Sequence, residues 1–334
     1  MSGEWRSDPL ARFEYRWWDG DRYTEWVARD GEQLEDPAGI PDMPATIETG
    51  FGPDRAQNRW TVAFRIVLAI PHLVWITLVT IGAVFVVIAG WFVALCTGRL
   101  PDDMARFLTH VLRYHTRLLA YLYLLRDDYP PFDLAADDYP VAVAVPPGER
   151  LNRWAVLFRI VLALPVLVVV NWLGSGVALA LLVLWVVVLV QGRMPGMSAQ
   201  ALGAVLRFQT RVWGYLMLLT PQYPRALYGD GPPVAEGGPA VPERPGPLAL
   251  GVGAKRLVTA FLVLGLAQAV TDNLMNPPTE SGARSADPVV VVVVDARVAA
   301  GASAVEPPAA DPSAQVPDAR SLASSASSVA ADRS

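Results

Sequence analysis

The chain has 334 residues, 53% of them hydrophobic, and a formal net charge of −5. Residues 1–54 carry 5 basic and 13 acidic side chains, residues 55–270 carry 18 and 11, and residues 271–334 carry 4 and 8, so the acidity belongs to the flanks and the apolar middle is basic. Arginines embedded in apolar runs argue against a nucleic-acid reader and for a membrane module, and a single cysteine, Cys96, excludes an internal disulfide and a multi-cysteine metal site.

Residues 1–36 read as a small Trp-rich module. From Arg12 to Val27 aromatics alternate with charges, as in a short twisted hairpin turning at Trp18-Asp19-Gly20. Asp8-Pro9, Arg16-x-Trp18-Asp19-Gly20 and Tyr23-Thr24-x-Trp26 resemble a short Trp-rich domain of unknown function found at the N-termini of actinobacterial membrane proteins. Roughly fifty polar residues precede the first apolar run, so no signal peptide is expected. Residues 37–57 form a linker with a short strand at Ala45–Thr49. A matching strand is expected at Val141–Val145, and the two are candidates for pairing at the membrane surface.

The middle of the chain is written twice. Residues 58–131 align on 152–225 without a gap, 94 positions apart, with 33 identities in 74. Asn58-Arg59-Trp60 returns as Asn152-Arg153-Trp154, and Gly98-Arg99-Leu100-Pro101 as Gly192-Arg193-Met194-Pro195. The repeats are delimited as 58–132 and 152–225, joined by a link at 133–151. Each contains an apolar run of about 38 residues, which as one helix would measure about 57 Å against an ~30 Å hydrocarbon core. A hairpin is therefore expected, turning at Thr80-Ile81-Gly82 and at Asn171–Gly176. Arginines at both ends and none in the turns place both ends in the cytoplasm. A third helix follows in each repeat, about 101–125 and 196–219, ending at a Tyr-Pro stop. It carries Arg113/Arg117 or Arg207/Arg211 at i, i+4 among apolar residues, as an interfacial helix would.

Residues 226–247 form a Pro/Gly linker, 248–270 a fifth membrane-spanning helix after Lys255-Arg256, and 271–334 a disordered tail. The fold class is all-α membrane: two tandem helical-hairpin-plus-interfacial-helix repeats, a small N-terminal β-like module and a disordered C-terminal tail.

Leu68-Ala69-Ile70-Pro71-His72, Thr97-Gly98-Arg99-x-Pro101, Leu112-Arg113-Tyr114 with Arg117 and Tyr121, and Asp128-Tyr129-Pro130-Pro131-Phe132 together resemble an uncharacterised, chiefly actinobacterial membrane family. That family is a domain of unknown function, often in two tandem copies. The second copy loses the histidine to Val166 and the Pro-Phe ending to Arg225-Ala226, which argues against two equal catalytic sites. The resemblance implies membrane location and no activity.

No catalytic residue, metal set or cofactor is expected. Arg99, Arg113 and Arg117, with Arg193, Arg207 and Arg211 in the second copy, are candidate contacts for anionic lipid headgroups. They either snorkel individually or converge on a headgroup pocket. Arg65 and Arg159 are expected to snorkel, or to pair with a carboxylate such as Asp102 or Asp103. Asp127-Asp128 and Asp137-Asp138 read as solvated turns, Cys96 as a packed thiol, and His72 as a hydrogen-bonded or interfacial histidine. The function expected is that of a non-enzymatic, envelope-associated scaffold in the inner (plasma) membrane, multi-pass with a cytoplasmic N-terminus. Its partners would be membrane lipids and proteins. The alternative is a small transporter or channel-like protein with its path between the two repeats.

Overall fold

The computed structural model describes residues 3–8, 13–19, 23–36, 46–53, 55–136, 139–146, 148, 150–230 and 241–275. Gly20, Asp137, Asp138 and the tail from 276 lie outside these.

The N-terminal module is more than a hairpin. β1 (Glu4–Ser7), β2 (Tyr15–Trp18), β3 (Tyr23–Arg29) and β4 (Glu32–Glu35) form one antiparallel sheet in sequence order. Asp30 and Gly31 both take positive φ, +53° and +80°, in the β3–β4 turn, the left-handed pair that a tight hairpin requires. Arg16 is fully buried and bridges Asp8, at 2.9 Å, and Asp36, which follows β4. Two carboxylates on one buried guanidinium tie both ends of the sheet to its centre.

Each apolar run begins with one turn of helix, α1 (Arg59–Ala63) or α4 (Arg153–Leu157). Asn58 and Asn152 cap these turns, their side-chain oxygens accepting from the Trp60 and Trp154 amides at 2.9 and 3.0 Å. After a break at Phe64 or Phe158 comes α2 (Arg65–Thr97) or α5 (Arg159–Gln191). Each is a continuous helix of 33 residues, about 50 Å long. The expected hairpins are therefore absent. Gly82 and Gly176 stay helical, and Gly176 serves close packing instead of a turn. The helices of each repeat turn later, at Gly98 and Gly192, whose φ of +76° and +71° end α2 and α5 in the left-handed cap that favours glycine.

α3 (Asp102–Leu122) then runs back along α2, and α6 (Gly196–Leu216) packs against α5 in the same way. His72 meets Tyr114 and Arg65 meets Tyr121, which fixes the antiparallel register of α2 and α3. α3 and α6 end at Leu122 and Leu216, ahead of the Tyr-Pro steps, and two residues on, Leu124 and Leu218 take positive φ of 59° and 64°. Among the described residues, α2, α5 and α7 (Val252–Met275) are the helices long and apolar enough to cross a membrane. α7 lies antiparallel along α5. Gly176 faces the Phe261 backbone and Gly265 the Trp172 backbone.

The two repeats are related by a pseudo-two-fold axis, visible in reciprocal hydrogen bonds 94 residues apart. The Gln57 amide donates to the Gly192 carbonyl, and the Leu151 amide to the Gly98 carbonyl, both at 2.8 Å. Trp185 Nε1 donates to the Val62 carbonyl at 2.7 Å, and Trp91 Nε1 to the Val156 carbonyl at 2.8 Å. Residues at the axis meet their own counterparts. Thr116 and Thr210 share a hydrogen bond at 3.1 Å, and Thr49 pairs with Val143 where β5 (Glu48–Gly50) meets β6 (Ala142–Ala144) antiparallel. The expected strand pairing thus exists, and it lies on the symmetry axis. The interface has the self-complementary logic of a two-fold dimer folded into one chain. The start of each long helix docks on the end of the other, so α2 and α5 run in opposite directions. α3 and α6 cross at the centre of the interface, where most of α6 is buried.

Candidate functional site

A cavity of about 440 Å³ beside the α2–α3 turn gathers several of the candidate residues. Thr97, Arg99 and Leu100 of the turn, Arg106 and Arg113 of α3, and Glu4, Arg6 and Tyr23 of the N-terminal sheet contribute to its walls. Its size falls within the range of small-ligand sites. Glu4 is bound by Arg6 Nε at 2.7 Å, Asp8 by Arg16, and Arg106 by Asp103 at 2.5 Å and by the Tyr15 hydroxyl at 2.6 Å. Val93, Leu151, Leu218 and Leu219 supply an apolar side next to the exposed surface of α2.

Of the predicted arginines, Arg99 and Arg113 come together here. Arg99 is exposed, whereas Arg113 is buried, its Nε donating to the Val143 carbonyl at 3.3 Å. Arg117 points elsewhere and donates to the carbonyls of Asp133 and Ala136. Arg193 is exposed on the equivalent turn of the second repeat. Arg207 and Arg211 are buried. Arg207 binds the Gly246 carbonyl at 2.6 Å and Asp230 at 2.5 Å, and Arg211 binds Asp230 with both Nη atoms, at 2.7 and 3.0 Å, and the Ile47 carbonyl at 2.9 Å. The interfacial picture of α3 and α6 is thus corrected. Arg113, Arg117, Arg207 and Arg211 face inward, because α3 and α6 form the buried layer onto which β5, β6 and the loops fold. An i, i+4 arginine pair in an apolar helix satisfies either geometry, so sequence did not separate them.

Among the described residues the second repeat does not reproduce this cavity. In the second repeat the equivalent positions are covered by residues 241–251: Val241 lies over Gly203, the counterpart of Thr109; the Gly251 amide binds Gln200, the counterpart of Arg106; Gly246 binds Arg207, the counterpart of Arg113.

Arg65, Asp127 and Cys96 also depart from expectation. Arg65 neither snorkels nor reaches Asp102. It is 2% exposed, paired with Asp127 at 2.7 Å, and its guanidinium lies 4.5 Å from the Tyr121 ring centre. Asp127, expected as a solvated turn, also accepts from the Asn58 amide at 2.9 Å and so clamps the start of the repeat. Arg159 keeps the aromatic partner, Tyr215 at 4.1 Å, and the Thr220 carbonyl, but Pro221 stands where Asp127 does. Cys96 is exposed instead of packed. His72 is fully buried, hydrogen-bonded to the Tyr114 hydroxyl at 2.6 Å and stacked on Phe132. Its counterpart is Val166 and that of Tyr114 is Phe208, so both partners of the bond are lost together. Among the described residues no set of His, Cys, Asp or Glu gathers as a metal site.

A family model described as "Domain of unknown function (DUF4389)" matches residues 59–133 and again 153–227. The chain carries two tandem DUF4389 domains. Each matched segment of this chain holds one capping turn, one long apolar helix and one buried return helix. The chain matches no curated protein and no solved structure.

The two histidines on α3 predict a pH response of the first domain. Burial pushes His115 down to about 4, and burial reinforced by the Arg113, Arg117 and Arg106 guanidiniums pushes His110 to about 4, from an ordinary 6.5. Both are therefore neutral in the fold at pH 7. The unfolded chain takes up their protons as pH falls through 6.5, the folded chain only near 4, so stability present at neutral pH is lost across that interval. Melting temperatures in detergent should fall from pH 7 to 4.5. His115→Gln, which copies Gln209 of the second domain, should flatten the decline. An unchanged pH profile in that variant would remove His115 as its source.

Proposed function

We propose that this protein is a non-enzymatic scaffold of the plasma membrane, with its N-terminal module in the cytoplasm, and that the cavity at the α2–α3 turn holds an anionic lipid headgroup. The observation that carries this reading is the meeting of Arg99 and Arg113 in one cavity that opens beside the exposed apolar face of α2. A phosphate among guanidiniums with its acyl chain along Val93 and Leu218 matches both walls. The second domain supports the same chemistry, since its equivalent arginine, Arg207, binds a carboxylate and a carbonyl oxygen supplied by the chain itself. A transport path between the repeats finds no support at their interface, which is filled by Thr116, Thr210, Tyr123 and Gln209.

The test is thermal unfolding in detergent with added lipid. Phosphatidylglycerol should raise the melting temperature and phosphatidylcholine should not. A ligand at a hundred times its Kd adds about 2.7 kcal/mol of stability. Arg99→Gln should weaken the phosphatidylglycerol effect about tenfold in concentration, the loss of one charge-assisted bond. Equal stabilisation by both lipids, or stabilisation by a soluble solute alone, would count against the headgroup site.

A further inference from the structure

The long apolar helices invite the reading that each crosses the bilayer. The path of the chain between their ends argues otherwise. At the start of α2, Asp127 binds Arg65 and the Asn58 amide. At its end, the Leu151 amide binds the Gly98 carbonyl. Residues 127–151 therefore travel the whole length of α2. Among them are Asp127, Asp128, Asp133, Glu149 and Arg150, together with five prolines, and the described part contains no helix. Were α2 to cross the membrane, this non-helical segment would cross with it, including exposed Phe132, Asp133 and Ala135, and lipid-exposed backbone outside a helix or closed barrel is not tolerated in the hydrocarbon core. Length gives the same answer. A helix of about 50 Å standing upright in an ~30 Å core would push apolar residues into water at both ends. Ile66 near one end is 52% exposed and Phe92 near the other 59%.

The symmetry axis adds an independent observation. A two-fold that exchanges antiparallel helices is perpendicular to both: it lies in the bilayer plane when they stand upright, and it can run along the normal when they lie flat. The axis passes between Thr49 and Val143. Outside that point runs the segment 242–245: the Phe51 amide binds the Pro242 carbonyl at 2.7 Å, the Gly52 amide binds the Glu243 carbonyl at 2.8 Å, and Gly50 abuts the Arg244 backbone. Glu243 and Arg244 are exposed there. An in-plane axis would hold those charges at mid-bilayer against acyl chains, the costliest place for them. An axis along the normal puts them in water.

We infer that α2 and α5 lie within one leaflet, both ends of each at the same membrane face, with the pseudo-two-fold along the membrane normal. The acyl chains of that leaflet cover the apolar faces of α2 and α5, and α7, antiparallel beside α5, shares the layer. α3 and α6 form the next layer, and β5, β6 and the ion-paired loops face water. This inference rests on the membrane residence proposed above.

Cysteine mapping in native membranes tests it. In a Cys96→Ser background, single substitutions Arg55→Cys before α1, Arg150→Cys beside the end of α2 and Glu243→Cys over the axis are probed with an impermeant maleimide. Intact spheroplasts are compared with inverted vesicles. All three should react in inverted vesicles only. Reaction of all three from outside only would keep the single-leaflet arrangement and overturn the cytoplasmic orientation of the N-terminal module. Arg55→Cys and Arg150→Cys on opposite sides, or Glu243→Cys silent until the membrane is dissolved, would overturn the inference. Release of the protein by alkaline carbonate would instead overturn membrane residence itself.

Discussion

Replacing Gly176 with alanine is expected to detach α7 from α5. A Cβ at this position would lie 1.8 Å from the Phe261 carbonyl oxygen, and one at Gly265 would lie 1.7 Å from the Trp172 carbonyl oxygen. Both obstacles are backbone atoms, so no rotamer change relieves them and the two helices must separate. Overpacking costs about 1–3 kcal/mol where side chains can yield, and a backbone clash belongs at or above the top of that range. The internal control is Gly82, the counterpart of Gly176, which has nothing within 4 Å. Gly82→Ala should be neutral or stabilising by up to about 1 kcal/mol through helix propensity. Thermal unfolding in detergent, with limited proteolysis of the 226–247 linker as a readout of α7 docking, separates the two variants. Equal behaviour of Gly176→Ala and Gly82→Ala would refute the close helix contact.

Asp127→Ala should destabilise the first DUF4389 domain by about 2–3 kcal/mol, because it leaves the Arg65 guanidinium buried with an aromatic face and carbonyls only. The value lies below that of a fully buried pair because the Asp127 side chain keeps 21% exposure. The double variant Arg65→Leu/Asp127→Ala should recover most of the loss, since removing both charges leaves none uncompensated. Chemical denaturation of the single and double variants checks this, and a double variant no more stable than Asp127→Ala would show that the ion pair is not the source. The second domain offers a natural comparison. Among the described residues Arg159 has no carboxylate partner, and its ring contact to Tyr215 is shorter, 4.1 against 4.5 Å.

Duplication, the N-terminal module and the repeated Gly-Arg-x-Pro turns were legible in the sequence, because each is written in local residue chemistry. Gly98 and Gly192 end helices, and the alternation of Tyr15–Trp18 and Tyr23–Val27 marks paired strands. The candidate site was half legible. Arg99 and Arg113 stand out as cations beside apolar runs, Arg117 shares the helix face of Arg113 at i+4 without reaching the cavity, and the contribution of Arg6, Tyr23 and the N-terminal sheet leaves no local signal. Asp127 was misread for the same reason. Its partner Arg65 is 62 residues away, and an acidic pair before Tyr-Pro looks like any solvated turn.

By itself the sequence determined that the chain is a duplicated apolar unit with basic ends, because periodicity, composition and charge are properties of the chain and survive without coordinates. Tertiary structure alone decided that each unit holds one long helix instead of a hairpin. A glycine within an apolar run serves equally for a turn or for close helix contact, and only the presence of α7 over Gly176 shows which. It alone decided that α3 and α6 turn their arginines inward. The free energy of a buried guanidinium depends on carbonyls and carboxylates that arrive from Ile47, Val143, Asp230 and Gly246, distant in the chain and brought together by the pseudo-two-fold fold.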